Sequence, residues 1–131
     1  MSHLLDVNVL VACAWQSHGD HVRANRWLDR TQGFATTAVT EMGFLRVSMS
    51  PAFGASFADA VEALSAIVAM GGHRFVRDDI RARALPAART SRDVTDAHLV
   101  RLAARHRLKL ATLDAALCAQ PWAREVAEYL G

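Results

Sequence analysis

The opening segment of the chain constrains the fold most, because it is apolar on every face and yet contains an acid. Leu4 and Leu5 precede Asp6, and an apolar run at residues 9–11 follows it. A strand buried on both faces of a parallel sheet has this pattern, and we expect that strand to end near Asp6. Burying an unpaired carboxylate is costly, so Asp6 is interpreted as a functional residue.

Short strand patterns alternate with helical ones over the rest of the chain. Further strands are predicted at residues 34–36, 73–76, 108–112 and 126–130, the last at a sheet edge. Helices are predicted at residues 7–15, 18–29, 37–50, 96–106 and 115–121, and one more begins after Ser56 and ends at Gly71. Residues 77–90 are interpreted as a loop with one helical turn. The alternation predicts a single domain, residues 1–131, with a three-layer α/β/α fold around a parallel sheet of four or five strands.

Composition limits the class of protein. Hydrophobic residues make up 52% of the 131 residues and charged residues 21%, as in ordinary globular domains. No uninterrupted apolar run approaches the ~20 residues of a membrane span, and no signal-peptide pattern opens the chain. Cys13 and Cys118 are the only cysteines, and we expect both to be buried thiols rather than part of a disulfide scaffold. These features predict a cytoplasmic protein without a membrane segment.

Four acids fall where strands are predicted to end or neighbouring helices to begin. Asp6 ends the first strand, and Glu41 lies early in the helix after the second. Asp96 begins the helix before the fourth strand, and Asp114 follows that strand. The carboxyl ends of parallel strands share one edge, so these acids are predicted to converge. Clustered carboxylates repel unless a cation compensates, and oxygen ligands suit Mg²⁺ or Mn²⁺, which activate water for phosphodiester hydrolysis.

Each acid taken alone also has a structural interpretation. Glu41 can favour the dipole of its helix, and Asp114 can cap the helix that follows it. Asp96 or Asp93 can cap the helix before the fourth strand, and for Asp93 we favour the cap over a place in the metal site. Independent caps need not share one sheet edge with Asp6, so the joint placement favours a functional site.

With these residues assembled, the sequence resembles the PIN-domain ribonucleases, and among them the VapC toxins of type II toxin–antitoxin systems. The resemblance lies in four segments: LLDVNVL at 4–10, TEMGFLRV at 40–47, TDAHL at 95–99 and ATLD at 111–114. Together they extend over most of the chain, and their order and spacing make the resemblance specific.

The resemblance implies a PIN-like fold and an endoribonuclease that depends on Mg²⁺, with Mn²⁺ able to substitute. It implies that the catalytic and metal-binding acids, with two supporting polar residues, are Asp6, Glu41, Asp96, Asp114, Asn8 and Thr112. It also implies an RNA substrate, a homodimer, and inhibition by a VapB-type antitoxin. We expect that antitoxin to lie across an apolar groove beside the acids.

Basic residues are nearly all arginine, which suits contacts with phosphate. The net charge is only +2, but neutralising the four acids leaves nine acids against fifteen bases. Arg46, one turn beyond Glu41, either binds the scissile phosphate or pairs with an acid. Six arginines of the irregular region either grip RNA phosphates or form a solvated face: Arg74, Arg77, Arg81, Arg83, Arg89 and Arg92.

Two other functions fit an acidic α/β domain, but the sequence favours them less. An inactive PIN-like module that binds RNA or protein is expected to lack one of the acids, and this chain retains all four. A receiver-like phosphoacceptor domain expects a lysine after a late strand, whereas Lys109 precedes its strand. His18 and His21 lack a third ligand and are expected in surface or capping roles rather than in a zinc site. The ribonuclease interpretation is favoured.

Overall fold

The computed structural model describes residues 2–85 and 88–131, so Pro86 of the predicted loop lies outside it. The strands are β1 (His3–Leu5), β2 (Phe34–Thr36), β3 (His73–Phe75), β4 (Lys109–Thr112) and β5 (Ala127–Tyr129). The helices are α1 (Val7–Ala14), α2 (His21–Arg30), α3 (Ala38–Ser48), α4 (Phe57–Val68), α5 (Asp93–Arg105) and α6 (Ala115–Ala119). The predicted helical turn is a 3-10 turn at Ala82–Ala84. None of the described helices is long and apolar enough to cross a bilayer.

The five strands form one parallel sheet in the order β3-β2-β1-β4-β5. The first strand lies at the centre, where Leu4 pairs with Ala35 on one side and with Leu110 on the other. A central strand has neighbours on both edges and helices on both faces, which explains why the opening segment is apolar all round. The predicted three-layer α/β/α fold with a parallel sheet is therefore confirmed.

Successive residues of β1 supply two separate cores. Leu5 belongs to the core under α1–α4, which also holds Leu10 and Phe44, whereas Leu4 belongs to the core under α5 and α6 with Leu102. Side chains alternate between the faces of a strand, so a shift of one residue would exchange the two sets. The register places Asp6 at the carboxyl edge of the sheet, directly after the strand.

Local signals in the sequence identified several boundaries correctly. Ser56 caps α4, where its hydroxyl oxygen accepts a hydrogen bond from the Asp59 backbone N–H at 3.1 Å. The apolar spacing of this helix predicts that Phe57, Val61, Leu64, Ile67 and Val68 share one face towards the core. That prediction is wrong in part, since Phe57 and Val61 are exposed and the helix buries Ala60 instead. A small residue at the contact lets the helix lie close to the core, and period alone does not reveal which apolar side chains remain uncovered.

The three tryptophans pack against the cores, and the prediction of buried thiols is confirmed for Cys13 but not for Cys118. Trp15 donates its indole N–H to the Ser48 hydroxyl at 2.9 Å, and Trp27 and Trp122 pack against the two cores. Cys13 is buried and burial raises its pKa to about 12, whereas Cys118 is only half-buried. Both cysteines are free thiols.

Candidate active site

Hydrogen bonds hold the backbone N–H and both carboxylate oxygens of Asp6 in place. Its N–H donates to the Ala111 carbonyl at 2.9 Å, which continues the β1–β4 ladder. One carboxylate oxygen accepts from the Val7 N–H at 2.7 Å, which caps α1, and the other accepts from the Thr112 hydroxyl at 2.8 Å. The residue is only 6% exposed, and burial raises its pKa above the ordinary value. The carboxylate is thus held rigidly in an environment that disfavours its charge.

Thr112 and Asn8 form the support around Asp6. The Thr112 hydroxyl donates to Asp6 and accepts from the Asp114 N–H at 3.1 Å and from the Asn8 side-chain amide at 3.3 Å. The Asn8 carbonyl oxygen in turn accepts from the Leu113 N–H at 3.1 Å. These bonds connect the start of α1 to the turn after β4, so one network holds the Asp6 carboxylate and the backbone of Asp114.

Asp114 begins α6 and faces the same region. Its carboxylate accepts a hydrogen bond from the Leu117 N–H at 3.1 Å, so the capping interpretation of this residue is correct. It also lines the two grooves that meet at the carboxylates, described below. One residue therefore caps its helix and contributes to the acidic cluster.

Asp96 completes a cluster of three carboxylates. It lies in the first turn of α5, half-buried, and its pKa is raised to about 6. Burial is the main cause, followed by repulsion from Asp6, Asp114 and Asp93, while Arg92 lowers the pKa. Within the described part of the chain, none of the three clustered acids forms a salt bridge. Burial and mutual repulsion disfavour the negative charge of Asp6 and Asp96, and a bound cation would offset both effects.

The capping role favoured for Asp93 is wrong. The helix begins three residues earlier than predicted, at Asp93 itself, and its cap position is Arg92, which makes no side-chain capping bond. Asp93 instead lines a groove with Asp96 and Asp114 and raises the pKa of Asp96. The misassignment arose because an acid just before a helix and an acid in its first turn look alike in sequence.

Two grooves meet at the carboxylates. The arginine groove has a volume of about 450 Å³ and is lined by Arg89, Thr90, Arg92, Asp93, Asp96, Asp114, Ala116, Leu117 and Gln120. The apolar groove has a volume of about 290 Å³ and is lined by Asp6, Val7, Asn8, Val11, His18, Val47, Phe53, Asp96 and Asp114. Asp96 and Asp114 belong to both, so the acids lie where the arginine groove meets the apolar groove.

Glu41 is positioned from the neighbouring strand. The Thr36 hydroxyl donates to the Glu41 carboxylate at 2.7 Å and contacts His73 Nε2 at 2.8 Å. Because the single hydroxyl proton goes to Glu41, the His73 ring donates to Thr36 through Nε2–H. The helix that carries Glu41 packs closely against α1, where a Cβ on Gly43 would lie 2.6 Å from a Val7 methyl. Glu41 lines neither groove, so the structure groups the three aspartates and places Glu41 beside β2 and β3.

Arg46 is exposed on α3. Within residues 2–85 and 88–131 it forms no salt bridge, and it lines neither groove. The interpretation of Arg46 as the partner of an acid is therefore not supported among the described residues. Of the six arginines in the irregular region, only Arg89 and Arg92 line a groove that contains the acids.

The donor set fits a hard cation held partly through water. Among the described residues, no three His, Cys, Asp or Glu side chains form a ready-made metal cage. Mg²⁺ is commonly bound by one or two carboxylates and several waters rather than by an all-protein cage. Carboxylates at the junction of two open grooves, with raised pKa values for Asp6 and Asp96 and no salt bridge among the described residues, suit that mode of binding.

The PIN domain profile matches residues 3–122, which include every residue of the site described above. This chain belongs to the PIN domain family. A similar PIN protein is Ribonuclease VapC38 of Mycobacterium tuberculosis, which is 47% identical over 119 residues, covering 86% of this chain and 84% of that protein. The sequence resemblance to VapC proteins is thereby confirmed.

Solved structures share the fold of this PIN domain. VapC20 of Mycobacterium tuberculosis, described as a sarcin-ricin loop cleaving toxin, superposes with a TM-score of 0.64 over 91% of this chain and 94% of that chain, at 13% identity. VapBC2 from Rickettsia felis, bound to a DNA fragment from its promoter, gives 0.63 over 98% of each chain, at 12% identity. At such low identity these likenesses show the fold alone.

Proposed function

We propose that this PIN domain is a Mg²⁺-dependent endoribonuclease and the toxin of a VapBC-type toxin–antitoxin pair. The observation that carries the proposal is the cluster of Asp6, Asp96 and Asp114, held at the carboxyl edge of the sheet without a salt bridge among the described residues. Similarity to Ribonuclease VapC38 over most of the chain supports the same conclusion.

Each residue of the site has a distinct part in this proposal. Asp6, Asp96 and Asp114 bind Mg²⁺, and Glu41 is the fourth acid, oriented by Thr36 from the side of β2. Bound Mg²⁺ would lower the pKa of a coordinated water and neutralise charge on the phosphodiester. Thr112 and Asn8 fix the orientation of the carboxylates, as hydrogen-bonded supports commonly do around metal ligands. Mn²⁺ is expected to substitute for Mg²⁺ because both ions favour oxygen ligands.

The arginine groove supports a polyanionic substrate. Arg89 and Arg92 flank the acids, and a guanidinium can bind a phosphate through two parallel hydrogen bonds. RNA entering along this groove would carry its phosphates past arginine before reaching the carboxylates. Arg46, exposed one turn beyond Glu41 on α3, is kept in the proposal as a further contact for substrate.

A protein partner is part of the same proposal. Met42 and Phe57, on α3 and α4, are each 59% exposed, and large exposed apolar side chains commonly mark interfaces. We infer a VapB-type antitoxin and a homodimer in the cytoplasm, supported by the similarity to VapC proteins. Co-purification with a neighbouring gene product and sedimentation of the isolated chain test the two inferences separately.

The structure argues against the receiver-like alternative. Lys109 begins β4, at the opposite end of the strand from Asp114, and its ammonium donates to the Glu125 carbonyl. A lysine at that end cannot contact a phosphoryl group at the acids. The nuclease remains the function that the geometry supports best.

The deciding experiment is cleavage of total bacterial RNA by the purified, antitoxin-free protein. We expect discrete cuts with Mg²⁺ or Mn²⁺, none with EDTA, and recovery on adding Mg²⁺ back. Attack by water leaves linear phosphate ends, whereas attack by the ribose 2′-hydroxyl leaves a 2′,3′-cyclic phosphate, so the ends of the fragments report the nucleophile. Asp6→Asn purified in parallel controls for contaminating nuclease. A folded wild-type protein that cuts no RNA would overturn the proposal in favour of a binding module.

A further inference from the structure

Two aromatic rings lie in the apolar groove beside the acids. The rings of His18 and Phe53 are parallel to within 3°, with centroids 6.1 Å apart. They come from different segments, His18 from the turn before α2 and Phe53 from the turn after α3, and both are half-buried. The same groove is lined by Asp6, Asp96 and Asp114. A flat aromatic surface therefore adjoins the proposed catalytic carboxylates.

Both rings are held in place by hydrogen bonds of their own segments. His18 Nδ1 accepts from the Asp20 backbone N–H at 2.9 Å, which fixes the ring and leaves the proton of the neutral imidazole on Nε2. The turn that carries Phe53 is closed by its N–H donating to the Ser50 carbonyl at 3.1 Å, and Gly54 follows with a φ of +63°. A pre-ordered pair loses little conformational freedom when it binds a ligand.

The proposed hydrolysis assigns no role to His18 or Phe53. Neither ring is hydrogen-bonded to an acid of the cluster, and the groove walls beside the rings are the aliphatic Val11 and Val47. A groove with polar acids at one end and planar aromatic rings among aliphatic walls suits a ligand with a phosphate next to a planar, largely apolar group. A nucleotide within single-stranded RNA has that chemistry.

We propose that the apolar groove is a nucleobase-binding site, in which the base beside the scissile phosphate stacks on the His18–Phe53 pair. This inference rests on the proposed ribonuclease function and names the part of the substrate that the groove binds. Proteins that recognise single-stranded RNA commonly stack unpaired bases on aromatic side chains. Stacking here positions the phosphodiester at the carboxylates, and the imidazole Nε2–H adds a donor for an edge of the base.

The test pairs a change in the protein with a change in the RNA. The probe is a twelve-nucleotide RNA spanning a cut mapped in total RNA, together with versions that are abasic on either side of the cut. Phe53→Leu keeps apolar volume but removes the aromatic face, and His18→Asn keeps an acceptor for the Asp20 N–H but removes the ring. Phe75→Leu, which changes an exposed ring on β3 away from both grooves, is the matched control.

We expect one abasic position to raise KM roughly 5- to 100-fold, the range of base–aromatic stacking. Phe53→Leu should raise KM similarly on the intact RNA but have little further effect on that abasic RNA, and Phe53→Trp should restore binding. Phe75→Leu should behave as wild type throughout. A merely structural role for Phe53 would lower activity equally on all three RNAs.

Three outcomes would overturn the inference. Additive losses from Phe53→Leu and the abasic nucleotide would mean that ring and base do not interact. Normal RNA cleavage by Phe53→Leu with a weakened antitoxin complex would assign the groove to a protein side chain instead. Wild-type protein that neither binds nor cuts any of these RNAs with Mg²⁺ would overturn the ribonuclease itself, a result distinct from the first two.

Discussion

Two groups of aspartates lie near α5, and they differ in whether a basic side chain forms an ion pair with them. Asp6, Asp96 and Asp114 cluster at its start, the pKa values of Asp6 and Asp96 are raised, and none of the three forms a salt bridge among the described residues. Asp78 and Asp79 lie in the irregular segment after β3, and each has a basic partner. The two groups are chemically identical, so their difference is one of surroundings.

The partners of the second group account for the difference. Arg105 Nε donates to Asp79 at 2.7 Å and lowers its pKa, and His106 lies 3.4 Å from the same carboxylate. His98 Nε2 contacts the Asp78 carboxylate at 2.6 Å. These contacts connect the segment after β3 to α5, and Arg105 gives Asp79 a positively charged partner. Burial and repulsion within the first group disfavour the charged form of Asp96, and the proposed Mg²⁺ would compensate for that charge.

The largest expected effect is a difference in RNA cleavage between variants of the two groups. Asp114→Asn keeps an acceptor for the Leu117 N–H, so α6 remains capped while one charge of the cluster is lost. We expect RNA cleavage to fall on the order of 10³-fold, because metal binding supplies several kcal/mol to the transition state. Asp79→Asn should cleave like wild type. Comparable losses in both variants, measured as initial rates, would erase the distinction drawn here.

Mg²⁺ should stabilise the protein through the cluster of Asp6, Asp96 and Asp114, and not through Asp78 or Asp79. At 100 times its Kd, a bound ion adds about 2.7 kcal/mol to the free energy of unfolding, which is roughly a 10 °C rise in Tm for a domain of this size. Asp96→Asn should lose most of this rise, and Asp79→Asn should retain it. NaCl at equal ionic strength controls for screening in the same thermal melts. An equal shift in all three proteins would place the ion elsewhere.

Thr112 tests whether orientation matters as well as charge. Thr112→Val keeps the shape of the side chain but removes the donor to Asp6 and the acceptor for the Asp114 N–H. Losing such a support typically costs roughly 10- to 100-fold in metal affinity or activity. Titration of Mg²⁺ by calorimetry should show the loss, with Thr112→Ser close to wild type. An unchanged affinity in a folded Thr112→Val protein would make the network structural only.

The smallest effect is a difference in the pH dependence of stability without metal. The pKa of Asp96 is raised from 3.8 to about 6, so the folded state holds this proton more tightly than the unfolded state. Stability from this group is complete below pH 4 and is lost as the pH rises to about 6. Asp96→Asn should therefore be more stable than wild type above pH 6 in EDTA, by about 1 kcal/mol once partial exposure is allowed for.

The stability that Asp79 contributes should depend on pH with the opposite sign to that of Asp96. Its pKa is lowered in the folded state, chiefly by the hydrogen bond from Arg105, so its contribution is present at neutral pH and is lost as the pH falls through its folded pKa. Urea unfolding at several pH values measures both variants. Parallel pH profiles for Asp96→Asn and Asp79→Asn would contradict the contrast between the two groups.

The sequence predicted the elements whose signals are local. The strand at residues 34–36, the Ser56 cap and the edge strand near the end were all identified from periodicity and from residues at the boundaries. The start of α2 was misplaced because the His18–Asp20 turn replaces its expected first turn. Boundaries depend on single hydrogen bonds, which a periodic pattern does not contain.

The sequence by itself determined which acids follow which strands, and therefore that Asp6 and Asp114 share one edge of a parallel sheet. Only the tertiary structure decided that Asp93 faces the groove, that two of the six arginines line it, and that Thr36 and His73 hold Glu41. The same is true of the His18–Phe53 pair, whose members lie 35 residues apart in the chain. Strand and helix patterns arise from interactions between near neighbours, whereas these contacts depend on how helices pack across the sheet, and packing is set by the whole fold.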